Sequence, residues 1–196
     1  MDEIEKTLEK GGAVVLPTET VYGLFGKALN QQTVEYIYQL KRRPQDKAMN
    51  LNVAHFEDIL YYSKNQPSYL KKICQSFLPG PLTIILQANA KVPTWVNSGM
   101  NTVGFRIPSH PITLNMIRRF GPLIGPSANI SGRDSGTCFE QIVAAFHQKV
   151  IGVEDDHFLT GKDSTILDLS GDKAVILRQG LITVEDILAQ VPEITF

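Results

Sequence analysis

Three observations predict a layered α/β fold in a single domain. Short apolar runs of strand length are intermixed with amphipathic stretches at helical spacing along the whole chain. Residues 13–16 and 20–24, and again 165–169 and 174–178, are runs separated by only a few residues. That is hairpin spacing, so the sheet should be mixed rather than wholly parallel. Finally, 196 residues with 43% hydrophobic and 20% charged content supply one sizeable core.

The elements follow in order. "MDEIEKTLEK" is charged and periodic and reads as a helix. "AVVLP" (13–17) is a buried strand closed by proline, and "TVYGLFG" is a second strand with glycine breaks. "NQQTVEYIYQLKRRP" (30–44) is a helix with Asn30 as N-cap, Val34, Ile37 and Tyr38 on one face, and an end before Pro44. "LNVA" is a short strand. Residues 55–78 are mostly helical, with a break at Pro67. "PGPLTIIL" (79–86) is a turn and a buried strand, and "NTVGFRIP" (101–108) another strand. "HPITLNMIRRFG" is a helix with Pro111 at its start, followed by the strand "PLIG". Thr137 and Glu140 have capping-box spacing ahead of "FEQIVAAFHQKV". "VIGVED", "STILDL" and "AVILR" are late strands, and "TVEDILAQV" closes the chain as a helix.

Composition narrows the function classes. Nineteen basic against twenty acidic residues give a net charge of −1. Bulk charge therefore argues against a nucleic-acid partner and leaves only a local basic patch. The first residues lack a signal-peptide pattern, and no apolar run approaches a membrane span. Cys74 and Cys138 stand alone without a CxxC, and the four histidines are scattered, so disulfides, zinc and other metal sites lack support. A soluble cytoplasmic protein is expected.

The chemistry-bearing segments are few. There is no GxxxxGK[ST] and no GxGxxG. "GPSAN" (125–129) falls one residue short of a GxSxG elbow because Asn129 replaces the second glycine. Asp155 and Asp156 read as a solvated strand end. "GPLIGPSANISG" (121–132) is either a plain turn or a rim of small hydrogen-bonding groups around a ligand. Lys41 and Arg43 either complement the helix macrodipole or meet an anion. In "TVGFRIP", alternation puts Thr102, Gly104 and Arg106 on one face, which is either simply solvated or open to an anion. Arg178 ends the run "AVIL" before a Gln-Gly turn, where a guanidinium can grip a phosphate.

Several segments together carry a resemblance. "PTETVYGL" (17–24), "KRRP" (41–44), "PGPLTIIL" (79–86), "TVGFRIPSHP" (102–111), "GPSANISG" (125–132), "STILDL" (164–169) and "ILRQG" (176–180) occur in the order seen in the YrdC-like family. The match runs from residue 11 to about 190, and both KxR (Lys41, Arg43) and SxN (Ser127, Asn129) are present. The chain resembles the short, stand-alone threonylcarbamoyl-AMP synthase branch, without the C-terminal domain of longer members. The resemblance implies a three-layer fold with a mixed, twisted sheet flanked by helices. It also implies synthesis of L-threonylcarbamoyladenylate and pyrophosphate from ATP, L-threonine and bicarbonate with Mg2+.

The product would pass to threonylcarbamoyl-transferase complex proteins for modification of tRNA, with a tRNA contact open. Lys41 and Arg43 are implied as catalytic. The ATP side would be Lys41, Arg43, Thr102, Ser127, Asn129, Ser135 and Arg178. The threonine side would be Thr18, Tyr22, Arg106, Gly125 and Ser164. Gly125 would leave room for the ligand, while Thr18 and Ser164 could instead simply begin strands and Tyr22 could be a packed aromatic. "SGRDSGT" departs from the usual SGxPSPT, and Gln179, Ala48 and Asn52 stand where the family favours other residues. A paralogue of the same fold acting as an RNA-binding or carbamoyl-transfer module is the alternative.

Overall fold

The computed structural model describes residues 2–196. Its helices are α1 (Asp2–Glu9), α2 (Gln31–Lys41), α3 (Phe56–Tyr62), α4 (Leu70–Phe77), α5 (Thr94–Asn97), α6 (Pro111–Phe120), α7 (Phe139–Ala145) and α8 (Val184–Gln190). The strands are β1 (Val14–Leu16), β2 (Gly23–Lys27), β3 (Leu51–Asn52), β4 (Ser63–Lys64) and β5 (Leu82–Ala88), then β6 (Thr102–Arg106), β7 (Leu123–Ile124), β8 (Ile151–Gly152), β9 (Thr165–Asp168) and β10 (Val175–Arg178). They form one sheet in the order β10-β9-β5-β6-β3-β7-β2-β1-β8, with β4 added on β5.

The sheet is mixed, as the hairpin spacing requires. β1–β2 and β9–β10 are antiparallel, while β5–β9, β3–β6 and β1–β8 are parallel. Period-two alternation sends successive residues to opposite faces. Val14 and Leu16 join Phe25 and Leu123 in a core under α1 and α6, together with Ile4, Leu8, Met116 and Ile117. Val15, Leu24 and Ile124 enter the larger core on the other face, with Val34 and Ile37 of α2. Burying each such side chain stabilises the fold by roughly 1.5–3 kcal/mol. Three layers result.

One expectation needs correction, and two elements, a short strand and a short helix, go beyond those expected. Thr137 does not cap α7: its N-cap is Cys138, which makes no side-chain cap bond. The Phe139 amide instead donates to Asp156 Oδ1 at 3.0 Å, so the anion at this helix start comes from another segment. Residues 55–78 hold two helices separated by a strand, because Ser63 and Lys64 pair with Ala88 and Gln87. The short helix α5 was not anticipated.

Candidate active site

A cavity of about 240 Å³ opens where four segments meet: the turn between β1 and β2, the chain after α2, the chain after β7 and the approach to β9. Thr18, Tyr22, Arg43, Arg106, Gly125, Ser127, Ser164 and Arg178, all expected site residues, line it. Lys41, Thr102, Asn129 and Ser135 do not.

Each wall has a local cause. Leu24 N donates to Pro126 O at 2.8 Å and Ala128 N to Tyr22 O at 2.7 Å, so residues 126–128 are zipped to the start of β2. That pairing fixes Ser127 at the cavity edge, where its hydroxyl donates to Asn129 Oδ1 at 2.5 Å. Behind this loop lies Lys41. The buried stripe of α2 runs Thr33, Val34, Ile37, Tyr38, Lys41, so helical periodicity carries the lysine inward. Its ammonium donates to the carbonyls of Ser127 and Asn129, the latter at 2.6 Å. Burial, and secondarily the charge of Arg43, push the Lys41 pKa down from 10.5 to about 7. Lys41 therefore builds the loop rather than lining the cavity.

The next two residues diverge. Arg42 is the C-cap of α2 in the left-handed region, φ 50°, which ends the helix there. Arg43 follows on the cavity side. Its Nε donates to Lys47 O at 3.1 Å and its Nη2 to Ala48 O at 2.9 Å.

Arg106 is not on an open face. Its side chain is 13% exposed, and Nη2 meets Glu19 Oε1 at 2.6 Å and Thr20 Oγ1 at 2.7 Å. Glu19 also accepts from Ser109 N at 2.9 Å, so it is held from both sides. Burial raises the carboxyl pKa of Glu19, but Arg106 outweighs it and the net shift is downward. The Nε of Arg106 is buried without an acceptor. A buried donor without a partner is costly, and a ligand carboxylate would satisfy it.

The opposite wall is a chain of contacts. Arg178 donates from Nε to Ser164 O and from Nη2 to Ser164 Oγ, both at 3.0 Å, and from Nη1 to Asp163 Oδ2 at 3.3 Å. Ser135 reaches the other oxygen of Asp163 at 3.3 Å and so joins the site at one remove. Ser164 also meets Thr83 at 3.1 Å.

Three assignments change meaning. A Cβ on Gly125 would collide with the Phe25 ring, so core packing explains this glycine better than room for a ligand does. Thr102, on the same strand as Arg106, pairs with Gln87 and gives its carbonyl to Asn97, away from the cavity. The Tyr22 hydroxyl donates to Asp156 and accepts from Asp155 N, both at 2.7 Å. Burial and that bond to Asp156 raise the phenol pKa, so Tyr22 packs and anchors with its polar end committed. Asp155 and Asp156 are thus structural, not a solvated strand end; Asp155 also meets the buried His110 at 3.2 Å.

Sequence reasoning passed over Glu19 and Asp163. Both adjoin residues it chose, but only the fold shows which cation each one holds. Among the described residues no group of three His, Cys, Asp or Glu could hold a metal, and no helix is long and apolar enough to cross a membrane.

Residues 6–180 match the sequence profile of the Sua5/YciO/YrdC family, described as "Telomere recombination". A threonylcarbamoyl-AMP synthase of Pyrococcus abyssi is 35% identical over 189 residues, covering 95% of this chain and 56% of that protein. One of Bacillus subtilis is 37% identical over 186 residues, covering 93% and 54%. The chain thus spans little more than half the length of these relatives. The crystal structure of P. abyssi Sua5 complexed with L-threonine superposes with a TM-score of 0.92 at 34% identity, over 98% of this chain and 57% of that one.

Proposed function

The chain belongs to the Sua5/YciO/YrdC family, and from that premise we propose that it is a nucleotidyltransferase of the threonylcarbamoyl-AMP synthase type. It would form L-threonylcarbamoyladenylate and pyrophosphate from ATP, L-threonine and bicarbonate. The observation that carries this reading is one cavity with three arginines on separate walls, one of which keeps a buried, unpartnered Nε.

The chemistry fits those residues. Bicarbonate takes up a proton and loses water to give carbon dioxide; the neutral threonine amine adds to its carbon and releases one proton to solvent, giving a carbamate. A carbamate oxygen attacks the α-phosphorus of ATP, and the bond to the β-phosphate oxygen breaks to release pyrophosphate. No protein nucleophile is needed. Both reactants are anions, so approach requires cations placed beforehand. Arg106 would take the carboxylate or carbamate, oriented by Glu19. Arg43 and Arg178 would face the phosphates, with Ser127 and Asn129 on the nucleotide and Lys41 holding their loop. Mg2+ would arrive on the triphosphate, neutralising phosphate charge, with Asp163 the one carboxylate among the described residues on the cavity wall. The product would be consumed by threonylcarbamoyl-transferase proteins acting on tRNA in the cytoplasm.

Pyrophosphate release tests this. We expect turnover only with ATP, threonine and bicarbonate together. Turnover without bicarbonate, or equal turnover with serine, would refute the reading.

A further inference from the structure

A second cavity, of about 350 Å³, uses the same two chain segments as the candidate active site. Arg43 and Ser127 line the first cavity; Arg42, Ile130 and Arg133 line the second. The segments are tied together by Ser131 N donating to Lys41 O at 2.8 Å, and the second is closed on itself by Asn129 Nδ2 donating to Arg133 O at 2.6 Å. The remaining wall is the end of α7, with Phe146, His147 and Lys149.

The lining separates into two kinds of surface. Leu40, Ile130 and the buried Phe146 make an apolar floor, with the Tyr36 ring beside it. Arg42, Arg133 and Lys149 bring three cations, and among the described residues no carboxylate lines the cavity. None of the three takes part in an ion pair among the described residues; the pairs lie at Lys72, Arg106, His110, Arg119 and Arg178. His147 and Gln148 are consecutive non-glycine residues in the left-handed region, φ 53° and 58°, on the turn that carries Lys149 to the rim. Uncompensated like charges around one concavity repel one another until an anion joins them.

We propose that this cavity is a binding site for a nucleotide-sized phosphorylated ligand, separate from the active site. Its phosphates would meet Arg42, Arg133 and Lys149, and its ring would lie on the apolar floor beside Tyr36. The cations converge from three segments on one hollow of small-ligand size, rather than running as a stripe along a face. An extended nucleic-acid backbone would need such a stripe, and the chain's net charge is −1. The site goes beyond the proposed reaction, which uses none of these residues.

Equilibrium dialysis with ADP tests it. The wild-type chain should bind at two classes of site. Reversing charge with Arg133→Glu and Lys149→Glu should weaken one class roughly tenfold or more, and the milder Arg42→Ala should weaken the same class. All three side chains are exposed, so the fold should persist, which circular dichroism would check. Arg178→Ala should weaken only the other class, as two separate sites require; equal weakening of both classes by Arg178→Ala would overturn the proposal. ADP occupancy unchanged by both sets of variants would overturn the proposal. So would a short single-stranded RNA that binds through these residues while ADP does not.

Discussion

Arg106 shows what a single residue's neighbours can add to its sequence. Strand alternation puts it on a face with Thr102 and Gly104, but it does not reveal that Glu19 and Thr20 hold one end of the guanidinium. The free Nε, fixed in direction by that grip, is what a carboxylate would meet. Lysine offers no planar fork and cannot satisfy Glu19 and a ligand together. Arg106→Lys should therefore weaken threonine binding by about 1.5–3 kcal/mol, roughly ten- to a hundredfold, with ATP binding nearly unchanged. Calorimetric titration of each ligand would check this. A fall in ATP affinity with threonine affinity intact would move Arg106 to the nucleotide side.

Elements explain why some residues were legible and others not. The helical stripe Val34, Ile37, Tyr38 continues to Lys41, so the burial of that lysine could have been read from spacing; its partners, two carbonyls some 86 and 88 positions away, could not. Thr137 has the right spacing for a local cap, yet α7 starts one residue later and takes its acceptor from Asp156. Local pattern lost because Asp156 also accepts from Tyr22 and so serves two donors at once. Removing it should cost more than an ordinary cap, which is worth about 0.5–2 kcal/mol. We expect Asp156→Ala to exceed that range in urea unfolding and Thr137→Ala to be near neutral. Equal effects would restore the local cap.

For the whole molecule, order and hairpin spacing make the mixed sheet readable, because each strand's alternation is local information; the one core expected from length and composition is divided by the sheet into two, which they do not show. The meeting of distant segments at the cavity was carried only by family resemblance, since no period or spacing links Glu19 to Arg106 or Asp163 to Arg178. One global property follows from that assembly. Lys41 loses its proton near pH 7 in the folded chain but near 10.5 when unfolded. Between those values the unfolded state binds the extra proton, so raising the pH favours the fold. The slope approaches about 1.4 kcal/mol per pH unit at most and vanishes below pH 7. Cys74, whose thiol is pushed up from 9.0 by burial, and Tyr22, Tyr62 and Tyr69, whose pKa values are raised from 10.0 by burial, add an opposing slope as the pH nears those ordinary values. The clean window is therefore pH 7 to 8. Lys41→Met keeps the length of the side chain but cannot titrate. It will lower stability at every pH by leaving the Ser127 and Asn129 carbonyls without their donor, yet its stability should not climb with pH across this window as the wild type's does. Urea unfolding of both chains at several pH values measures the difference, and parallel curves would mean that Lys41 stays charged inside the fold.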